Sequence, residues 1–368
     1  MYIWEQPQWP KWQYDATRLA VLLADVRHRQ GRLSGRMEAL GFSLQDQAEL
    51  STLTLDVIKT SEIEGESLDA GQVRSSLARR LGLDIGALAS VDRHIDGVVE
   101  MMLDATRNYN QTLTKERLFA WHGALFPTGR SGLSRVRVAG WRDDSAGPMQ
   151  VVSGAYGHET VHYQAPPADS LDLEMGRFFG WFNAAKPDLD PVLHAGLAHL
   201  WFVTLHPFDD GNGRIARAIG DMALTRSEGC SRRFYSLSAQ IRKNRSDYYH
   251  VLERTQKGAM DVTGWLEWFL ITLRQAMTGA ETTLAQVLSK ARFWEQHRSR
   301  SLNQRQVMML NRLLDGFEGK LTSSKWAKLA NCSQDSALRD ITALLEHGIL
   351  KKAEAGGRST GYELVNPC

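Results

Sequence analysis

The twelve residues His206-Pro207-Phe208-Asp209-Asp210-Gly211-Asn212-Gly213-Arg214-Ile215-Ala216-Arg217 constrain this chain more than any others. They join two runs with helical periodicity, residues 192–205 and 214–227, the second carrying Ile215, Ile219 and Met222 on one face. The chain must therefore turn within a few residues and restart a helix at once. Gly211 and Gly213 permit positive φ and close approach of a ligand, and their N–H groups fall where the new helix begins. Such N–H groups, with the positive end of a helix dipole behind them, form a cradle for an anion, above all a phosphate. Arg214 and Arg217 share a face in the first turn and are spaced to grip neighbouring phosphates, although Asp221 offers Arg217 an alternative partner four residues on. Asp210 is a hard oxygen ligand suited to a magnesium ion bridging two phosphates, and His206 has a pKa range suited to a general base.

The rest of the chain reads as mainly α. Trp4, Pro7, Trp9, Pro10 and Trp12 make residues 1–14 a strap pinned by aromatic burial. Helical patterning follows over 15–41, 43–61, 92–107, 115–125 and 171–183, and again over 243–256 and 263–288. Between Pro127 and Pro167 a Gly- and Pro-bearing stretch, with the alternating run Arg135-Val136-Arg137-Val138 and the segment Met149-Gln150-Val151-Val152, predicts a small β-hairpin flap. Residues 306–368 read as helix, short helix, turn, helix and two short strands around Glu354–Arg358, the order of a winged helix-turn-helix. There Ser333 is the expected N-cap, Leu338, Ile341 and Leu345 face the core, Gly348 is the stop and Arg339 is the exposed candidate reader. Three domains are expected: 1–90, 91–289 and 290–368.

Composition narrows the partners. A net charge of +2 over 368 residues is too small to draw nucleic acid or an anionic membrane by bulk electrostatics. Cys230, Cys332 and Cys368 are odd in number and widely spaced, which argues against a disulfide framework and a zinc site and suits a reducing, cytoplasmic compartment. No apolar run is long enough to span a membrane.

His206–Arg217 matches every fixed position of the Fic-family signature, His-x-Phe-x-Asp/Glu-Gly-Asn-Gly-Arg-x-x-Arg, and the resemblance covers roughly residues 50 to 275. It includes the run Arg245-Ser246-Asp247-Tyr248-Tyr249-His250-Val251-Leu252-Glu253. The resemblance implies a Fic-type helical core that transfers AMP from ATP to a Ser, Thr or Tyr hydroxyl of a target protein or of itself. On that resemblance His206 is the general base, Phe208 fixes the loop and Asp210 holds Mg2+. Gly211, Asn212 and Gly213 hold the α-phosphate region, and Arg214 and Arg217 take the outer phosphates. Tyr248 and Tyr249 flank the base or ribose, unless they are simply core and rim, and Gln256 stands where relatives often carry Asn. Val151, Val152 and Ser153 match a flap that docks the target peptide by β-augmentation.

Thr60-Ser61-Glu62-Ile63-Glu64-Gly65 ends an amphipathic run with a carboxylate opposed to the helix dipole, so a cation must compensate. The segment also resembles the Fic inhibitory motif, Ser/Thr-x-x-x-Glu-Gly/Asn. This implies that Glu64 pairs with Arg217, denies it to the γ-phosphate and leaves ATP in an unproductive pose; in some relatives the same glutamate supports removal of AMP. Relatives with this brake are often homodimers. Two alternatives stay open: a DNA-binding regulator with a nucleotide-sensing Fic core, and a Fic enzyme using another donor. Residues 320–368 hold seven Lys/Arg against five Asp/Glu, a weak excess for DNA, so a docking or dimerisation role weighs equally.

Overall fold

The computed structural model describes all residues except 86–87, 146, 155–157, 186–187, 315, 318, 354–359 and 366–368. The chain forms two units, Met1–Glu281 and Thr282–Cys368. The first begins with α1 (Ala16–Glu38), α2 (Phe42–Ile63), α3 (Ala70–Leu81), α4 (Arg93–Arg107) and α5 (Lys115–Leu125). Two short antiparallel hairpins follow, β1 (Arg130–Ser131) with β2 (Ser134–Arg135) and β3 (Gln150–Ser153) with β4 (Thr160–Gln164). Then come α6 (Leu171–Asn183), α7 (Pro191–Leu205), α8 (Asn212–Glu228), α9 (Leu237–Lys243), α10 (Arg245–Gln256) and α11 (Thr263–His297), whose residues up to 281 belong to this unit.

A helix apolar on every side belongs in the interior. Helix α7 is one: every residue from Val192 to Leu205 except His194 is buried. It starts on the Asp190 cap with Pro191 in the first turn and packs closely on α11, where Gly196 meets Phe269 and accepts at its carbonyl from Trp265 Nε1 at 2.8 Å. Helix α8 packs beside it and is also largely buried, yet it carries Arg214, Arg217 and Asp221 inside. Buried charges need partners, so α8 fixes what its neighbours must supply. The expected strap is present: Trp9 and Trp12 pack edge-on against Trp201 of α7 at 6.0 and 5.8 Å between ring centroids. Trp4 Nε1 donates to the Gln164 carbonyl and Trp9 Nε1 to Glu174, both at 2.9 Å.

Several boundaries differ from the sequence expectation. Helix α3 was not separately expected, although Asp69 caps it and Gly82 ends it in the left-handed region. The helix expected over 243–256 is α10, which starts at Arg245 because Asn244 leaves helical angles at φ −113°; α9 ahead of it, with its own cap in Ser236, was not expected. Helix α11 runs past 288 into the charged segment, whose Lys, Arg and Glu are good helix formers. Of the alternating run 135–138 only Arg135 is strand.

The second unit holds α12 (Gln304–Leu314), α13 (Ser323–Leu329), α14 (Gln334–Glu346) and the antiparallel pair β5 (Leu350–Lys352) and β6 (Tyr362–Leu364). Its core gathers Met309, Leu310, Trp326, Ala337, Ile341 and Leu344, among others. Ser333 caps α14 and Gly348 turns at φ +68°, as expected. Leu338 is a correction: it is 48% exposed, because the inward stripe of α14 is Ala337, Ile341 and Leu344. Arg339 is exposed, and Glu354–Arg358 and Cys368 lie outside the described residues. Among the described residues no helix is long and apolar enough to cross a membrane.

Helices α4 and α5 touch backbone to backbone at Gly97, where a Cβ would lie 1.8 Å from the Ala124 carbonyl oxygen. Gly97→Ala is predicted to lower unfolding free energy by roughly 1–3 kcal/mol in urea titrations. Gly176→Ala in α6, which meets nothing within 4 Å, should be neutral or raise it by up to about 1 kcal/mol.

Candidate active site

Helix α7 ends at His206, which takes left-handed angles (φ 48°, ψ 56°) and turns the chain into the loop. Its Nδ1 lies 3.2 Å from the Val203 carbonyl oxygen. A carbonyl can only accept, so Nδ1 carries the proton and Nε2 keeps its lone pair. Burial pushes the imidazole pKa down, and the nearby Arg142 cation pushes the same way against the backbone bond, Glu64 and Asp210. The ring is thus neutral and basic at Nε2 near pH 7.

Phe208 is the loop's anchor, as expected. It is fully buried and stacks nearly parallel on His122 at 4.2 Å, with Trp141 at 5.1 Å. The Asn212 amide grips the Phe208 backbone on both sides, Oδ1 accepting from its N–H at 3.0 Å and Nδ2 donating to its carbonyl at 2.7 Å. Gly211 turns at φ +82°, where a Cβ would meet the Phe126 ring at 2.9 Å. Asp210 accepts from the Gly211 N–H at 2.6 Å, and its carbonyl faces His122 Nε2 at 3.2 Å. His122 Nδ1 accepts from the Ala139 N–H at 3.2 Å, so this ring is also neutral, and burial holds its pKa down at about 4.

Both arginines of the loop are about 1% exposed, and both are met from the end of α2. Arg217 Nη2 donates to Glu64 Oε1 at 2.7 Å and to the Thr60 carbonyl at 2.9 Å, while Nε donates to Thr60 Oγ1 at 2.7 Å. Asp221, its other possible partner, is taken by Arg233 at 2.7 Å. Gly213 makes room for this pair: a Cβ there would lie 2.2 Å from Glu64 Oε1 and 3.2 Å from Arg217 Nη1. Arg214 Nη1 donates to Glu66 Oε2 at 2.8 Å, and its guanidinium lies 5.1 Å from the Phe126 ring centroid. Arg217 Nη1 and Arg214 Nε are buried without hydrogen-bond partners, the condition an incoming anion would relieve.

Tyr248 is buried, its hydroxyl 2.9 Å from His199 Nε2, and it packs against Trp268 at 5.4 Å. Tyr249 is 38% exposed, its hydroxyl 3.4 Å from the Ile63 carbonyl next to Glu64. Gln256 is buried and donates to Thr204 Oγ1 at 3.3 Å. Val151, Val152 and Ser153 lie on β3, with a register shift between the two valines. Among the described residues strand β3 pairs with β4 alone, and Val152 is 48% exposed. Ser153 Oγ and Glu253 bracket His162 at 2.6 and 2.9 Å.

Sequence reading missed Glu66, His94, His122 and Arg142. Only Glu66 had a signal, an acidic residue just past the Gly65 stop; the others depend on contacts across the fold. His94 sits between two acceptors, Glu66 Oε2 at 3.3 Å and the Leu125 carbonyl at 3.2 Å, which favours the doubly protonated ring and raises its pKa. Burial alone would raise the Glu66 pKa, but His94 and Arg214 outweigh it, and the carboxyl is held below its ordinary range. A raised histidine contributes stability fully present below its unfolded pKa, about 6.5, and lost as pH rises through the folded value. His94→Gln should therefore cost stability at pH 5.5 and much less at pH 9, as read by urea unfolding at both.

Residues 112–224, from before α5 to within α8, match the Fic/DOC family, and residues 2–83 match a domain of unknown function (DUF4172). Among curated proteins, the chain is 30% identical over 218 residues to "Protein adenylyltransferase Fic" of Culex quinquefasciatus, covering 58% of this chain and 39% of the relative. It is 32% identical over 201 residues to the protein of the same name from Drosophila grimshawi, covering 53% and 36%. The matches thus span about two fifths or less of these relatives' length. A Fic family protein from Desulfovibrio desulfuricans G20 shares the fold with a TM-score of 0.52, at 20% identity over 94% of this chain and 97% of that one. A Fic domain containing signaling protein from Bacteroides thetaiotaomicron has a TM-score of 0.52, at 18% identity over 71% and 97%. The loop that turns at His206 and the part of α8 that buries Arg214 and Arg217 lie within the segment that matches the Fic/DOC family.

Proposed function

We propose that this chain is a protein adenylyltransferase that moves AMP from ATP to a Ser, Thr or Tyr hydroxyl of a target protein or of itself, and that Glu64 restrains it. The observation that carries the reading is a neutral His206, with Nε2 free to take a proton, set in the same loop as two buried arginines with unmet donors. A base beside an anion cradle is what attack of a hydroxyl on a phosphate ester requires.

The target hydroxyl gives its proton to His206 Nε2 while its oxygen bonds to the α-phosphorus; the bond from that phosphorus to the bridging oxygen breaks, and pyrophosphate leaves. The N–H groups at the start of α8 receive the α-phosphate, and Arg214 and Arg217 steady the outer phosphates. The donor set fits magnesium rather than a protein-caged metal. Among the described residues no cluster of three His, Cys, Asp or Glu could hold a metal, and magnesium is usually held by one or two carboxylates plus substrate phosphates. Asp210 would be that carboxylate, and the bound ion would neutralise charge on the departing pyrophosphate. The edge of β3 away from β4, with Val151, Val152 and Ser153, would receive the target as an added strand.

Glu64 and Thr60 hold Arg217 as the γ-phosphate would, so ATP enters without that contact and its α-phosphate is not aligned with His206. The C-terminal unit, with helices α13 and α14 followed by a two-stranded hairpin, is read as a winged helix-turn-helix that recruits DNA or the target.

Incubation with α-labelled ATP and magnesium tests both parts. Glu64→Gly should label itself or added lysate proteins at least about tenfold faster than the wild type, and Glu64→Gly/His206→Ala should not label. No label from any variant would reject AMP transfer.

A further inference from the structure

We propose that Arg142 is a positioning residue for the general base, holding His206 in its left-handed turn and keeping its imidazole aimed. This rests on reading His206 as the base. Arg142 lies on the segment after β2, and its side chain is fully buried. The segment runs along the catalytic loop. The Arg137 N–H donates to Asp209 Oδ2 at 2.8 Å, the Ala139 N–H to His122 at 3.2 Å, and the Arg142 N–H to the Pro207 carbonyl at 2.9 Å.

The guanidinium completes the hold. Nε donates to the His206 carbonyl at 2.8 Å, Nη1 to Asp144 Oδ1 at 2.8 Å, and Nη2 to the Pro166 carbonyl. Two consecutive carbonyls at the end of α7 are thus bound by one residue, at the negative end of a helix dipole where a cation is favoured. A left-handed turn is disfavoured for a histidine and persists only where its surroundings impose it. Here the imposing contact is on the peptide of His206 itself, so it also sets where the ring leaves the backbone.

Only arginine offers donors in three directions from one rigid plane, which is what the His206 carbonyl, the Pro166 carbonyl and Asp144 require together. Lysine supplies the charge without the fork. The charge acts separately from the hydrogen bonds: the groups that bear on the His206 ring are Arg142, which opposes its protonation, and Glu64 and Asp210, which favour it. Removing the cation leaves burial alone against the Val203 backbone bond and the two carboxylates, so the ring should keep its proton to higher pH and present less free base near neutrality.

The test pairs Arg142→Gln with Arg142→Lys. First, the His206 ring is titrated by 15N–1H NMR in the otherwise wild-type chain, its signals assigned by their loss in His206→Ala. Second, AMP transfer is measured in the Glu64→Gly background, as kcat and as KM for ATP. Arg142→Gln should move the His206 titration to higher pH and lower kcat by about a hundredfold, with KM for ATP within about twofold. Arg142→Lys should return the titration toward the wild-type position while leaving kcat well below the parent's. A His206 titration unmoved in Arg142→Gln, or a kcat unchanged in it, overturns the proposal, and so does full recovery of kcat in the lysine variant. If the Glu64→Gly parent transfers no AMP, the transferase reading fails on its own, and the titration still decides whether Arg142 governs the ring.

Discussion

The ion pair between Glu64 and Arg217 is the contact on which the arrangement of this site depends. Helix α8 buries Arg214, Arg217 and Asp221, and each is answered from elsewhere: Arg214 by Glu66, Arg217 by Glu64 and Thr60, Asp221 by Arg233. An unanswered charge at such depth would cost several kcal/mol. The end of α2 therefore completes α8, and it does so through the side chains that the proposed function gives to the phosphates. In the proposed function, stability and restraint are one set of contacts.

That double use explains the chemistry at Gly213, which no side chain could replace without displacing the Glu64 carboxylate. It also explains why the arginines remain incompletely satisfied. Glu64 and Thr60 take Nη2 and Nε of Arg217, while Nη1 stays buried and unmet. In the proposed function this restraint is reversible, because a polyphosphate offers more acceptors than one carboxylate can. On the other side of the loop, His122 and Arg142 fix the backbone from which His206 and Asp210 project, so this end of the loop and the two arginines are held by different elements.

The loop was legible because its parts are contiguous. Glycines at fixed spacing, a histidine at a helix end and two arginines one turn apart have few joint explanations, and α8 followed from periodicity. The end of α2 was legible too, since Glu64 opposes the dipole there and needs a cation. Its partner follows from the family resemblance, and the geometry agrees. His94 and Arg142 were not legible, and Glu66 showed only as an acidic residue past the Gly65 stop, because a salt bridge across 148 residues or a guanidinium on a distant carbonyl leaves no local pattern. Leu338 was misplaced for a related reason: helical spacing allows either of two adjacent stripes, and packing of Ala337, Ile341 and Leu344 chose the other. The break at Asn244 illustrates the limit of periodicity, which is indifferent to a single residue leaving helical angles.

The most direct measurement is calorimetric binding of ATP and of ADP, each with magnesium, to the wild type and to Glu64→Gly. If Glu64 holds Arg217 in place of the γ-phosphate, the wild type should bind the two nucleotides almost equally, and the variant should prefer ATP by about tenfold or more, the worth of one charge-assisted contact. The same ATP-to-ADP ratio in both proteins would contradict it.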